Sequence, residues 1–250
     1  MSDGTLAITR LSGLANPTRF VALAGRMLPW LWGVTLALLA VGLFMALTAP
    51  DDYQQGSTVH IMYIHVPSAW LAMLCYTLMT ASSIGTLVWR HPLADVAAKA
   101  AAPIGAVFTF TALVTGALWG RPTWGTYWVW DARLTSFLIL FIMYLGLIAL
   151  VRAIDDPSKS ARVAAVLTVV GFINIPIIKF SVDWWNTLHQ SSSVLTMQGS
   201  QIAPSLLWPL LVMALAFTML FFTLHVVAMR TEIWRRRVTA LRRQAARQAR

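Results

Sequence analysis

Between two long apolar runs of the chain lies the sequence WGRPTWGTYWVWDARLTS, residues 119–136. Its aromatic residues are Trp119, Trp124, Tyr127, Trp128 and Trp130. Its only charged residues are Arg121, Asp131 and Arg133. Because the segment separates two apolar runs, we expect it to lie where a membrane meets water. A cluster of flat rings with cations at its margin is suited to a flat, apolar, anionic ligand.

The composition is typical of a membrane protein. The chain is 58% hydrophobic and only 11% charged, which excludes an ordinary soluble domain. Its net charge of +10 is carried by short blocks at the ends of apolar runs, a pattern of membrane orientation rather than of nucleic-acid binding. The single cysteine, Cys75, lies within an apolar run, so we interpret it as a packing residue.

Six apolar stretches are long enough to cross a bilayer as helices. The predicted spans are 30–48, 70–89, 103–119, 134–151, 163–178 and 206–229. No acidic residue, lysine or arginine interrupts them, in keeping with the cost of several kcal/mol for a charge in the hydrocarbon. The sequence therefore predicts an all-α integral membrane protein, with residues 1–250 forming one six-helix bundle.

The basic residues predict the orientation of this bundle. Of the 19 lysines and arginines, 16 fall in the leader, two connections and the tail, on one side of the spans. The other side has only Arg121, Arg133 and Lys179. By the positive-inside rule, both termini are expected in the cytoplasm. The basic tail, residues 230–250, is predicted to be a short amphipathic helix or a frayed end, held by anionic lipid.

Two histidines are predicted to lie on the outer side, beside the tryptophan-rich segment. We place His65 and Pro67 in a first outer loop, residues 50–67, just before the second helix, because a proline is well placed near a helix start. His189 belongs to a third outer loop, residues 179–204. A lone loop histidine is usually structural, but two beside an aromatic cluster favour axial ligation of haem iron. The pair lacks the close spacing and carboxylates of a zinc hydrolase.

Other interpretations stay open at this point. The tryptophans could form an aromatic belt that anchors helix ends, or a platform on which a ligand stacks. Arg121 and Arg133 could bind ligand carboxylates, or one of them could pair with Asp131. The remaining histidines are interpreted as structural or solvated: His60, His91 and His225.

The tryptophan segment, His65-Val66-Pro67 and the sequence WWNTLHQ at 184–190 together resemble a known family. They are similar to the haem-handling proteins of bacterial cytochrome c maturation, which share a tryptophan-rich "WWD" segment, and most closely to the CcmC family. The resemblance covers nearly the whole chain. It implies that haem b is held at the periplasmic face of the inner membrane, with His65 and His189 as axial ligands. The shelf and propionate contacts that it implies are Trp119, Trp124, Trp128, Trp130, Asp131, Arg121, Arg133, Trp184 and Trp185.

The resemblance also implies partners. Haem would pass to the haem chaperone CcmE, beside the ABC transporter subunits CcmA and CcmB and the small membrane protein CcmD. This chain has no GxxxxGK[ST] motif, so ATP hydrolysis is assigned to a partner, and we expect a haem-binding and transfer protein rather than a hydrolytic enzyme. An electron-carrying cytochrome b would need histidines within the spans. A secondary transporter would show broken helices, for which Asn174 and Pro176 give the only hint.

Overall fold

The computed structural model describes residues 16–189, 194 and 199–249. Within these residues seven α-helices follow one another: α1 Pro17–Thr48, α2 Met62–Trp89, α3 Ala94–Trp124, α4 Ala132–Ala153, α5 Pro157–Gly171, α6 Asn174–Trp184 and α7 Pro204–Gln248. A 3-10 helix, Ser57–Ile61, leads directly into α2. The described residues contain no β-strand, only one isolated bridge between Asp52 and Gly56. The predicted all-α fold is confirmed.

Six helical segments in the described part of the chain are long and apolar enough to cross a membrane. Five are α1, α2 with its preceding 3-10 helix, α3, α4 and α7, and the sixth is α5 together with α6. The most apolar window of each has a mean hydropathy between 1.6 and 2.6. The predicted number of spans is therefore confirmed, and the chain is a multi-pass membrane protein.

The core of the bundle is formed where α2, α3 and α4 pack together. Leu71, Tyr76, Leu140 and Tyr144 are fully buried there. The Tyr144 hydroxyl donates a 2.7 Å hydrogen bond to the carbonyl of Ala72, which satisfies a polar group that burial would otherwise penalise. Cys75 lies in the same core and is fully buried, in agreement with its interpretation as a packing residue.

Capping residues fix where several helices begin. Asn16, Asp131 and Asp156 accept backbone N–H bonds at the starts of α1, α4 and α5. The connections 49–61 and 125–131, together with residues 185–189 after α6, lie at one end of the bundle, which we call the loop face. The start of α1, the connections 90–93 and 154–156 and the end of α7 form the terminal face, where Arg237 donates to the Thr18 hydroxyl over 2.6 Å.

The first outer loop is shorter than predicted. His65 and Pro67 were placed before the second helix, but α2 begins at Met62, so both residues are helical. The prediction that these residues precede the helix is wrong: the 3-10 helix turns the chain before α2, and Pro67 is the sixth residue of α2. Because proline has no backbone N–H, one hydrogen bond is lost inside α2, rather than in the first turn, where backbone N–H groups have no helical partner. As a consequence His65 is held by a helix.

The other two outer loops are also partly helical. Helix α3 continues through Pro122 to Trp124 and ends at Gly125, whose φ of 78° is the left-handed conformation that glycine adopts readily. Helix α6 continues to Trp184, and only the residues after it leave the helix. The serines 191–193 of the predicted third loop lie outside the described residues.

The two remaining differences concern the fifth span and the tail. The fifth span is broken between Gly171 and Asn174, where the Asn174 side-chain amide donates to the carbonyl of Ser136 over 2.9 Å. The tail is not a separate short helix or frayed end, because α7 continues to Gln248. Its 45 residues extend roughly 68 Å, more than twice the thickness of the hydrocarbon core.

Candidate functional site

His65 and His189 line the same cavity at the loop face. The cavity has a volume of about 50 Å³, and Arg133 is the only other charged or titratable residue among the described residues that line it. Its remaining walls are nonpolar: Ala69, Ala112, Leu113, Gly116, Leu134 and Phe137. The bundle therefore brings two imidazoles and one guanidinium together in an otherwise apolar place.

The contacts of His65 determine which of its ring nitrogens faces a ligand. Its Nδ1 lies 3.0 Å from the carbonyl oxygen of Ala112 and 3.1 Å from the hydroxyl of Thr115. Since a carbonyl only accepts hydrogen bonds, we assign the proton to Nδ1. The Nε2 atom then keeps its lone pair and is the nitrogen that can bind a metal.

Helix α3 is close enough to His65 to hold the ring in place. A Cβ atom added at Gly116 would lie only 2.8 Å from the His65 Cε1 atom. Trp119, three residues later on the same helix, meets the imidazole edge-on with ring centroids 5.7 Å apart. The Trp119 indole is itself fixed by a 2.8 Å hydrogen bond to the Gln55 side chain.

His189 is held less tightly. It follows α6 in a non-helical segment, and its backbone N–H donates to the Thr187 hydroxyl over 2.9 Å. The Nδ1 atom lies 4.0 Å from Oδ2 of Asp131. Both atoms are buried, and neither has a hydrogen-bond partner among the described residues. A small shift of the ring would let Nδ1–H donate to Asp131 and leave Nε2 free for a metal.

Burial and charge keep His189 neutral. Burial and, to a smaller extent, the nearby Arg133 lower its pKa to about 4, although Asp131 opposes the shift. The imidazole is therefore unprotonated at neutral pH, which is the form that binds iron.

Asp131 and Arg133 do not pair with each other. The Oδ1 atom of Asp131 accepts from the Leu134 N–H over 2.7 Å and so caps α4, which leaves Oδ2 directed to His189. The Arg133 guanidinium donates over 2.8 Å to the carbonyl of Ile178 in α6. This bond ties α4 to α6 and places the cation in the cavity wall.

The tryptophan-rich segment separates into two parts. Trp119 and Trp124 belong to α3, and each meets one histidine: the Trp124 ring centroid is 4.7 Å from that of His189. Trp128 and Trp130 follow Gly125 in extended chain and contact each other edge-on, 5.5 Å apart. Trp130 is 76% exposed.

The remaining predicted site residues lie outside the cavity. Trp184 and Trp185 meet edge-on, 5.7 Å apart, and both are exposed. Arg121, in the last turn of α3, is exposed and donates to the carbonyl of Gly125 just after the helix, with its guanidinium over the Tyr127 ring. The two tryptophan pairs and Arg121 therefore lie at the loop face but do not line the cavity.

Several contributors to the site were not predicted from the sequence. They are the carbonyl of Ala112, the hydroxyl of Thr115, the close approach of Gly116 and the side chain of Gln55. The Thr115-Gly116 pair within a long apolar helix was a possible signal of close packing. Gln55 had no signal, because its role depends on where the loop folds.

The sequence comparisons bear on this geometry. The profile of the family CcmC, heme exporter protein C, matches residues 10–244 of this chain. The chain belongs to the CcmC family. A heme exporter protein C of Bradyrhizobium diazoefficiens is 70% identical over 240 residues, which are 96% of this chain and 91% of that protein.

More distant relatives match over a similar length. A heme exporter protein C of Escherichia coli K12 is 46% identical over 224 residues, 89% of this chain and 90% of that protein. A ccmC-like mitochondrial protein of Marchantia polymorpha, named for cytochrome c biosynthesis, is 46% identical over 216 residues, 85% of this chain and 92% of that protein. The resemblance inferred from the tryptophan and histidine motifs is thereby confirmed at the level of the CcmC family.

Proposed function

We propose that this protein binds haem b at its loop face and presents it to the haem chaperone CcmE during the maturation of c-type cytochromes. Membership of the CcmC family supports a role in haem handling for this process. The observation that carries the proposal is the convergence of His65 and His189 on one apolar cavity. Neutral imidazole nitrogens in an apolar wall suit the iron and the ring of haem.

The donor set fits haem, but the present volume of the cavity does not. Pockets for small molecules have roughly 300–1,000 Å³, whereas this cavity has about 50 Å³. The imidazoles must therefore move apart to admit the ring between them. His65 lies on a helix and hydrogen-bonds to α3, whereas His189 lies in the non-helical segment after α6. We infer that His189 moves to admit haem, while His65 stays in place.

The surrounding side chains have separate roles in this proposal. Trp119 and Trp124 pack against the two imidazoles. Asp131 orients His189, and Arg133 is placed to bind a haem propionate. The exposed rings of Trp130, Trp184 and Trp185 and the half-buried ring of Trp128, with Arg121 at their margin, would support the edge of the porphyrin and leave it open to the chaperone.

In this proposal the loop face is periplasmic, the terminal face is cytoplasmic and the membrane is the bacterial inner membrane. Sixteen of 19 basic residues on the terminal side support the orientation. The partners CcmA, CcmB and CcmD would surround the bundle, and ATP would be hydrolysed by the transporter subunits. This chain would act as a haem-binding and transfer protein without chemistry of its own on ATP.

Delivery to the chaperone tests the function. In cells that lack the native protein, His65→Ala and His189→Ala should each lower the covalent haem on CcmE about tenfold or more, since loss of a metal ligand weakens the site. Haem staining after denaturing electrophoresis measures this, with protein levels matched. His91→Ala, at the terminal face, is the control and should leave delivery unchanged. Normal delivery in both variants would contradict the proposal.

Orientation is testable with the chain's single cysteine removed. In a Cys75→Ser background, Tyr127→Cys marks the loop face and Arg242→Cys marks the terminal face, and both positions are exposed. A membrane-impermeant maleimide added to spheroplasts should label Tyr127→Cys alone. Arg242→Cys should be labelled only after the membrane is opened. The reverse pattern would place the histidine cavity on the cytoplasmic side.

One observation favours the second candidate function, an electron-carrying cytochrome b. His65 lies inside a membrane-spanning helix, as the ligands of such cytochromes do. Its partner His189, however, lies beyond the end of α6, outside the spans. Haem that stays bound when CcmE is supplied would favour electron carriage, and haem that leaves to CcmE would favour delivery.

A further inference from the structure

A wide cleft opens at the terminal face, at the opposite end of the bundle from the histidine cavity. Its volume is about 1130 Å³, and α3, the end of α4, α5 and the tail of α7 contribute to its walls. The cleft is far larger than the histidine cavity, and its walls combine two kinds of side chain. These two kinds of side chain indicate which class of ligand the cleft binds.

The deeper part of the cleft is apolar. Met79, Leu147, Val151, Ala164 and Ala165 line it, and all belong to segments long and apolar enough to cross a membrane. Along α4, Leu147 is only five residues from Arg152, or roughly 7 to 8 Å at the rise of an α-helix. The apolar wall therefore begins within the membrane and ends at a basic rim.

One acidic cluster fixes the shape of that rim. Glu232 of α7 pairs with Lys99 of α3 at 2.9 Å and with Arg235 and Arg236 of its own helix. Arg236 also pairs with Asp95 of α3 at 2.8 Å. These pairs neutralise much of their charge and hold the tail of α7 against α3. They are structural, and they leave other cations of the rim unpaired.

Three arginines of the rim lack such partners. Arg152, Arg243 and Arg247 line the cleft and are exposed. Within the described ranges 16–189, 194 and 199–249, none of them makes an ion pair or a side-chain hydrogen bond. Among the described residues that line the cleft, Asp155 is the only acidic one outside the neutralised cluster. The rim therefore presents an uncompensated positive charge beside an apolar wall.

We propose that this cleft binds an anionic phospholipid, with its phosphate between Arg152, Arg243 and Arg247 and its acyl chains along the wall formed by α4 and α5. A soluble phosphate would match the arginines but leave the apolar wall exposed to water. A zwitterionic lipid would match the wall but neutralise the rim less well. Basic pockets between membrane helices are a known way of holding anionic headgroups. The inference does not depend on haem binding at the loop face.

The first test measures lipid selectivity. The full-length protein, purified in a neutral detergent, is titrated with phosphatidylglycerol or with phosphatidylcholine of the same acyl chains. Native mass spectrometry counts the lipids retained. We expect one tightly held phosphatidylglycerol, bound about tenfold or more tightly than phosphatidylcholine, since each basic residue adds to the attraction of an anionic headgroup. Equal retention of the two lipids would overturn the proposal.

Matched variants locate the binding. The cleft variant R152Q/R243Q/R247Q should lose the preference for phosphatidylglycerol. The control variant K159Q/R162Q/R242Q removes the same charge from three exposed residues of the same face that do not line the cleft, and should keep it. Equal loss in both variants would show a diffuse attraction to the whole basic face and would overturn the proposal.

A third variant separates the cleft from its charge. Ala161→Trp keeps every arginine but places a large side chain in the cleft, which Ala161 lines. It should abolish the preference for phosphatidylglycerol, with the helical circular dichroism unchanged. Retention of the lipid in this variant would overturn the proposal. The proposal would also be overturned if the wild-type protein showed no preference for anionic lipid and a partner protein covered the cleft instead.

Discussion

The two parts of the tryptophan-rich segment each carry two tryptophans but have different surroundings. Trp119 and Trp124 are carried by α3 and meet His65 and His189 respectively. Trp128 and Trp130 come after the left-handed Gly125 and contact each other; Trp130 is exposed, whereas Trp128 is half-buried. Local backbone thus decides whether a tryptophan supports a histidine or provides an open surface. The number of aromatic rings in the motif therefore does not predict which of them contact the histidines.

The comparison predicts that the helical part is the more sensitive one, and Gly116→Ala should have the largest effect. The added Cβ would lie 2.8 Å from His65 Cε1, so the ring has to move. Displacing an oriented ligand lowers metal affinity about 10- to 100-fold, and we expect haem affinity to fall by this amount in a spectrophotometric titration. Gly146→Ala is the control, since nothing lies within 4 Å of its added Cβ. Equal affinities in the two variants would show that α3 does not position His65.

Asp131→Asn should have the next largest effect. Asparagine caps a helix about as well as aspartate, so the start of α4 is preserved. However, an amide does not offer His189 the two acceptor oxygens of a carboxylate, and a loss of about tenfold in haem affinity is expected from such a change near a metal ligand.

The control for this variant is Asp156→Asn, which changes the cap of α5 in the same way at the terminal face. Haem titration of both variants checks the prediction. Unchanged affinity in Asp131→Asn would limit Asp131 to capping α4.

Trp124→Leu compared with Trp130→Leu tests the two parts of the segment directly. Loss of a ring contact costs about 0.5–1.5 kcal/mol beyond buried area, so Trp124→Leu should weaken haem binding roughly three- to tenfold. Trp130 is 76% exposed, and its substitution should weaken haem binding less but slow transfer to CcmE. Haem titration and stopped-flow transfer separate the two effects. A larger loss of affinity in Trp130→Leu would reverse the comparison.

The smallest expected effect is on pH dependence. The pKa of His189 is lowered to about 4, first by burial and then by Arg133. Its neutral form is lost only as pH falls through that value, so the low-spin haem spectrum should persist at pH 5.5, where an ordinary histidine is mostly protonated. Arg133→Gln removes the smaller of the two causes that lower the His189 pKa. The acid transition should therefore move to higher pH, but by only a small part of the total shift. A wild-type transition near pH 6.5 would contradict the burial of His189.

The membrane fold was largely predictable, whereas the details of the site were not. Long runs of apolar residues without charges predict the membrane-spanning helices, because a charge in the hydrocarbon is costly. The fifth span is broken between Gly171 and Asn174, close to Asn174 and Pro176, the two residues of the sequence that give a hint of a broken helix. The extension of α3 to Trp124 and of α6 to Trp184 was missed, because aromatic and charged residues at the membrane interface do not mark a helix end.

The predicted histidines meet at one cavity, as their shared side of the membrane suggested. From the sequence, Arg133 is expected to bind a ligand carboxylate or to pair with Asp131. The sequence does not predict the hydrogen bond from Arg133 to the Ile178 carbonyl. The contact of Gly116 with His65 depends on which face of α3 turns toward α2, and a sequence of uniformly apolar helices does not specify this. Tertiary packing therefore determines the orientation of the histidines that the sequence identifies.

The most direct test of the central claim, that His65 and His189 together bind haem iron, is the absorption and magnetic circular dichroism spectrum of the haem-loaded protein. The wild type should show a six-coordinate, low-spin haem with two nitrogen ligands. His65→Ala and His189→Ala should each give a high-spin haem, and added imidazole should restore the low-spin spectrum in both. An unchanged low-spin spectrum in either variant would contradict ligation by that histidine.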